Sequence, residues 1–162
     1  MVERRGIQPP VRRGTVVANR SSCRVGRSAL RLVAALLFVA AGANHFINPA
    51  FYRRIIPPKF PKPGAVVAIS GIAEILGGAG LLARPLRRSA GWGLIALLVA
   101  VFPANVYMAM EPQRFADLPI PRSMQRLRVP LLWLRLPLQA VFIAWVGLVA
   151  FDSSQVNRNG PK

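Results

Sequence analysis

Chemistry-bearing residues are scarce in this chain. Cys23 is its only cysteine and His45 its only histidine, and five acidic residues stand against 22 lysines and arginines in 162 residues. One thiol cannot close an internal disulfide or run a CxxC shuttle, and it leaves the compartment unread. One histidine cannot supply both axial positions of a bis-histidine haem. No metal-ligand spacing occurs, so no metal site is expected. Nor does any GxGxxG or phosphate-binding loop feed a strand-to-helix turn, and neither GxSxG nor a credible Ser/His/Asp set is present.

What is abundant is apolar sequence, 53% of the chain, with charge confined to blocks. That is the distribution of a membrane protein. Four charge-poor windows, about 28–47, 64–83, 89–110 and 130–151, each approach the roughly 20 residues that cross a bilayer as a helix. The expected fold is all-α, a four-transmembrane-helix bundle (28–151) between a disordered basic tail (1–27) and a short polar C-terminal tail (152–162). Arg12-Arg13 ahead of an apolar stretch has the outline of an export signal, but the apolar core is longer than a signal region, so an uncleaved first span is expected. The net charge of +17 flanks the apolar windows and is not gathered on one face among stacking groups. Contact with anionic lipid headgroups fits that pattern, and nucleic-acid binding does not. Six arginines from Arg12 to Arg31 outweigh the basic residues beyond the first span, which places both termini on the cytoplasmic side of the inner (cytoplasmic) membrane.

Within the windows, Pro49 should stop the first helix, and Pro57, Pro58, Pro61 and Pro63 should keep the connector stiff and non-helical. Phe46, Phe51 and Tyr52 read as an interfacial aromatic belt, and Trp92, Trp133 and Trp145 as belt and packing residues. Ala73 and Gly77, with Gly71, Gly78 and Gly80 nearby, should let a neighbouring helix approach closely. Pro103 and Pro137 should kink the third and fourth spans, Pro103 freeing the carbonyl of Val99. The loop carrying Arg114, Arg122, Arg126 and Arg128 is expected to lie partly along the membrane surface.

Two charges stand alone in apolar runs, Glu74 in the second span and Arg135 in the fourth. Isolated ionisable groups at such depth need a partner, and the opposite signs suggest each other. Asn44, His45, Ser70, Asn105 and Gln139 fall at a similar depth, so one polar cluster in the outer half of the bundle is the economical arrangement. It could be purely structural, an ion pair with hydrogen-bonded amides that sets helix register. It could instead hold a small polar or quinone-like ligand, or relay protons, with Arg135 on an anionic oxygen and Glu74 or His45 handling protons. A shift of 61 residues lays Ala43-Asn44 on Ala104-Asn105 and Glu74 on Arg135, the pattern of a diverged two-helix repeat.

His45-Phe46-Ile47-Asn48-Pro49, Ser70-Gly71-Ile72-Ala73-Glu74, Phe102-Pro103-Ala104-Asn105 and Arg135-Leu136-Pro137-Leu138-Gln139 together resemble the DoxX and DoxX-like family of small four-helix bacterial membrane proteins. The resemblance covers about Leu30 to Phe151. It implies a compact inner-membrane bundle serving as a subunit or accessory of a quinone-linked redox or oxidative-stress complex, with a soluble oxidoreductase as partner. In that setting Arg135 and Gln139 would contact the quinone carbonyl and Glu74 would accept a proton. The long basic tail and the absence of a cysteine pair depart from the pattern of related proteins that promote disulfide formation. A non-catalytic scaffold that recruits an acidic partner, and a small transporter that forms an oligomer to enclose a path, are the alternatives.

Overall fold

The structure, a computed structural model, describes residues 14–115 and 122–151. Five α-helices and two short 3₁₀ turns follow one another: α1 (Gly14–Ile47), α2 (Pro49–Ile55), α3 (Pro63–Leu82), α4 (Arg87–Met110), the turns Pro112–Phe115 and Arg122–Leu127, and α5 (Arg128–Ala150). No strand occurs among the described residues. Helices α1, α3, α4 and α5 each contain a stretch long and apolar enough to cross a membrane, and they form an all-α four-helix bundle. Their outward faces carry large apolar side chains such as Ile47 (74% exposed), Ile69 and Leu76. Such a surface suits lipid and not water, and the chain is a multi-pass membrane protein.

One expectation needs correction. Residues 14–27 belong to α1 and are not a disordered tail. After Pro10 the chain meets no proline until Pro49, and arginine, alanine and serine do not interrupt a backbone that the apolar part of α1 already nucleates. Residues 1–13 and the 152–162 tail lie outside the described residues. The first helix does end just before Pro49, as expected, and Pro49 also opens α2, where its missing N–H costs nothing and its fixed φ suits a first turn. The stiff connector then leads to Lys62, the one described non-glycine residue with a positive φ (52°), which turns the chain into α3.

Neighbours in sequence are neighbours in space, so the helices ring the bundle in the order α1, α3, α4, α5, with α1 and α5 closing it along the thinnest contact. The α1–α3 contact is the closest. A Cβ on Gly42 would sit 2.5 Å from the Gly71 carbonyl oxygen, and one on Gly78 would sit 2.8 Å from the Ala35 carbonyl oxygen. Only glycine tolerates that approach, which is how small residues hold helices together where water supplies no driving force.

The core is split. At the end where α1 enters its apolar part, here the proximal end, Ala34, Phe38, Leu81, Leu94, Val149 and Ala150 form a dry cluster. There Arg31 donates from Nε to the Val149 carbonyl at 3.0 Å, and Arg87 donates from Nε to the Leu81 carbonyl at 3.1 Å. Both arginines satisfy carbonyls that a helix end leaves without N–H partners. At the distal end Ile55, Met108, Ala109, Phe115 and Leu132 form a second cluster. The polar residues lie between the two.

Candidate functional site: a cavity between two apolar clusters

A cavity of about 460 Å³ opens between the clusters, walled by all four long helices and roofed by Ile55, Ile56, Pro57 and Phe60 from α2 and the connector. Most of its lining is apolar. Leu37 on α1 and Leu138 on α5 line it and are also exposed on the bundle surface, on the two helices whose mutual contact is thinnest. His45, Ser70, Glu74, Asn105, Arg135 and Gln139 all line it, so six of the seven polar residues expected from the sequence converge on one space.

The partners within this group differ from expectation. Glu74 and Arg135 share the cavity but form no ion pair. Glu74 instead faces His45, with Oε2 3.4 Å from Nδ1. That nitrogen is also 2.9 Å from the Ala41 carbonyl oxygen. A carbonyl at that distance requires a donor, so Nδ1 carries the hydrogen and spends it within α1, leaving Nε2 as the uncommitted ring nitrogen. Glu74 Oε2 is buried and accepts no hydrogen bond among the described residues. Arg135 donates from Nη1 to the thioether sulfur of Met108 at 3.1 Å, a weak acceptor for a guanidinium with five donors. The physical reason is rotation about the helix axes. The close α1–α3 packing through Gly42 and Gly71 turns Glu74 toward α1, so His45 reaches it first.

Gln139 is 5% exposed and spans Pro103. Its carbonyl oxygen accepts from Asn105 Nδ2 at 2.9 Å and its amide donates to the Leu98 carbonyl oxygen. Proline interrupts the helical ladder and spreads the turn before it, exposing carbonyls there to outside donors. The captured carbonyl is Leu98, one residue before the Val99 carbonyl expected from the sequence. Gln139 is therefore a brace between α5 and the two sides of the proline in α4, and not a free ligand for a quinone carbonyl. Pro137, inside α5, leaves Trp133 without its usual helical donor two residues before this brace.

Ser70, 8% exposed, returns its hydroxyl to the Val67 carbonyl at 3.0 Å, so its donor is spent on its own helix. Asn44 is the one expected residue that does not line the cavity. It donates from Nδ2 to the Tyr52 hydroxyl at 3.0 Å and accepts from Asn48 Nδ2 at 2.6 Å. Those bonds fix Tyr52, whose ring stacks on His45 with centroids 3.7 Å apart and planes 24° apart. Tyr52 also lines the cavity. Sequence reasoning placed it in an interfacial belt; the signal that finds it is its place on the first turns of a helix opened by Pro49, which folds it back over the end of α1.

The arrangement has two polar walls. One, on α1, α2 and α3, consists of His45, Tyr52 and Glu74; the other, on α4 and α5, consists of Asn105, Gln139 and Arg135. No group of three or more potential metal ligands occurs among the described residues. No curated protein and no solved structure matches the chain. The family described as Domain of unknown function (DUF8561) matches residues 34–150, which include much of the apolar part of α1 and all of α2 to α5, and the chain belongs to that family.

Proposed function

We propose that this protein is a membrane subunit or accessory of a quinone-linked redox or oxidative-stress complex, and that the bundle cavity receives the head of a quinone-class amphiphile. The observation that carries the reading is the cavity itself. Its volume falls in the about 300–1,000 Å³ range of small-molecule sites, and its lining is apolar except for two polar walls. An apolar ring with oxygen at both ends fits that distribution of polarity. Exposure of Leu37 and Leu138 at the bundle surface supports entry from the bilayer, where such a molecule is dissolved.

In this reading Arg135 holds a ligand oxygen, and Glu74 with His45 handles protons on the opposite wall. Tyr52 orients His45 by stacking, while Gln139 and Asn105 hold the shape of the α4–α5 wall. The DoxX-like motifs support the redox setting, in which a soluble oxidoreductase supplies or removes electrons. The basic flanks of the spans support the inner membrane, both termini on the cytoplasmic side and contact with anionic lipid.

The test is purification of the full chain in mild detergent, extraction for quinone, identification of co-purifying proteins by mass spectrometry, and thermal melting with added decyl-benzoquinone and its hydroquinone. Bound quinone or quinol, or a melting shift that saturates with either, is expected. A preparation with no extractable quinone or quinol and a melting curve indifferent to both forms refutes the reading.

A further inference from the structure

Glu74 and Arg135 are each left short of a partner in the same cavity. Glu74 Oε2 is buried and accepts no hydrogen bond from any described residue, and the hydrogen on His45 Nδ1, 3.4 Å away, is spent on the Ala41 carbonyl. Its side chain is 15% exposed and lines the cavity. Arg135, an exposed residue at the cavity, has the Met108 sulfur as its acceptor and no oxygen acceptor among the described residues. A buried carboxylate lacks a donor on one wall, then, and a guanidinium lacks an oxygen acceptor on the other. Neither deficit is met by Asn105, Gln139 or Ser70, whose hydrogen bonds run to each other or to backbone carbonyls.

Resting on the proposal that a quinone-class head occupies the cavity, we infer that the site selects the reduced, hydroquinone form. A hydroquinone donates a hydroxyl hydrogen to Glu74 at one end and offers its other oxygen to Arg135. The oxidised quinone presents an acceptor at both ends. It satisfies Arg135 but sets a carbonyl oxygen against the carboxylate, leaving Glu74 without a donor from the ligand. A missing hydrogen bond in a built polar site is the kind of difference that discriminates strongly between close analogues.

Full-length protein in nanodiscs is titrated anaerobically with decyl-hydroquinone, decyl-benzoquinone and the dimethyl ether of decyl-hydroquinone, which keeps the ring and tail, adds a methyl to each oxygen and has no donor. The hydroquinone is expected to bind at least tenfold more tightly than either of the others. Glu74→Gln, nearly the same shape, should shrink that preference to within threefold, and Arg135→Gln should weaken hydroquinone and quinone alike; each variant is checked for wild-type elution. Equal affinity for hydroquinone and quinone, or a preference for the quinone, overturns the inference while leaving the quinone-site reading standing. Failure of all three probes to bind wild-type protein overturns that reading and the inference with it. A preference unchanged in Glu74→Gln also overturns the inference.

Discussion

Replacing Gln139 with leucine is the sharpest probe of how the α4–α5 wall is held. Leucine fills nearly the same volume, so the packing term is small and the change isolates two hydrogen bonds, one to Asn105 and one to the Leu98 carbonyl. Each bond is worth about 0.5–1.5 kcal/mol net, and each group left unpaired in a dry site costs about 1–3 kcal/mol. Asn105 is only half-buried at the cavity edge and can find another partner, which puts the expected loss near 2 kcal/mol. A double-mutant cycle with Asn105→Ala should return a coupling energy of about 0.6–1 kcal/mol, the scale of interhelical hydrogen bonds in membranes. Reversible unfolding in bicelles, followed by steric trapping or by denaturing detergent, measures both numbers. A Gln139→Leu loss below about 0.5 kcal/mol, or additivity of the two substitutions, would refute the brace.

Three further substitutions test the packing and the first wall. Gly71→Ala places a methyl 2.8 Å from His45 Cβ and 3.0 Å from the Gly42 carbonyl oxygen, and should cost about 1–3 kcal/mol by forcing α1 away from α3; Gly93→Ala, with nothing within 4 Å, should be neutral or slightly stabilising in the same unfolding assay. Arg31→Ala removes a charged hydrogen bond to the last turn of α5 and should cost about 1.5–3 kcal/mol, with faster amide exchange in the residues around Val149. Tyr52→Phe keeps the stack on His45 but strips Asn44 of its acceptor. It should cost about 1 kcal/mol of stability, whereas Tyr52→Leu should in addition shift the His45 ring resonances in NMR.

Much of the fold is legible in the sequence because span length is a property of one helix and one bilayer. The windows at 64–83 and 89–110 differ from α3 and α4 by at most two residues at either end. Convergence of six polar side chains was legible too, since depth along a span follows from counting residues from its ends. Pairing was not. Which of two helices Glu74 faces depends on the rotation of each helix about its axis. Helices such as α3 and α4, apolar on every side, carry almost no pattern from which to read it. The 61-residue shift matched Asn44 to Asn105, yet Asn44 orders Tyr52 at the end of α1 while Asn105 meets Gln139 on α5. The helical start of α1 was missed for a related reason: its arginines signal solvation, which a helix that projects beyond the bilayer satisfies as well as a disordered chain does.

The separation of Glu74 from Arg135 bears on whether the polar layer only holds helices together. Four helices with dry clusters at both ends already have the packing to set register. A polar layer kept for register alone should satisfy its members, because each unmet charge or acceptor at this depth lowers stability. Asn105, Gln139, Ser70 and Asn44 each make at least one hydrogen bond to protein. Glu74 Oε2 has no such bond, and Arg135 on the same cavity has only a weak sulfur acceptor among the described residues. A buried acceptor left unmet at Glu74, beside amides that bond to protein, is what the proposed ligand site would require. The double variant Glu74→Gln with Arg135→Met separates the possibilities. If the two side chains serve the fold alone, the double variant should bind decyl-hydroquinone as the wild type does, since replacing two charges together by well-packed residues is often neutral or stabilising. If the pair serves a ligand, the double variant should be at least as stable as the wild type and should lose its binding of decyl-hydroquinone.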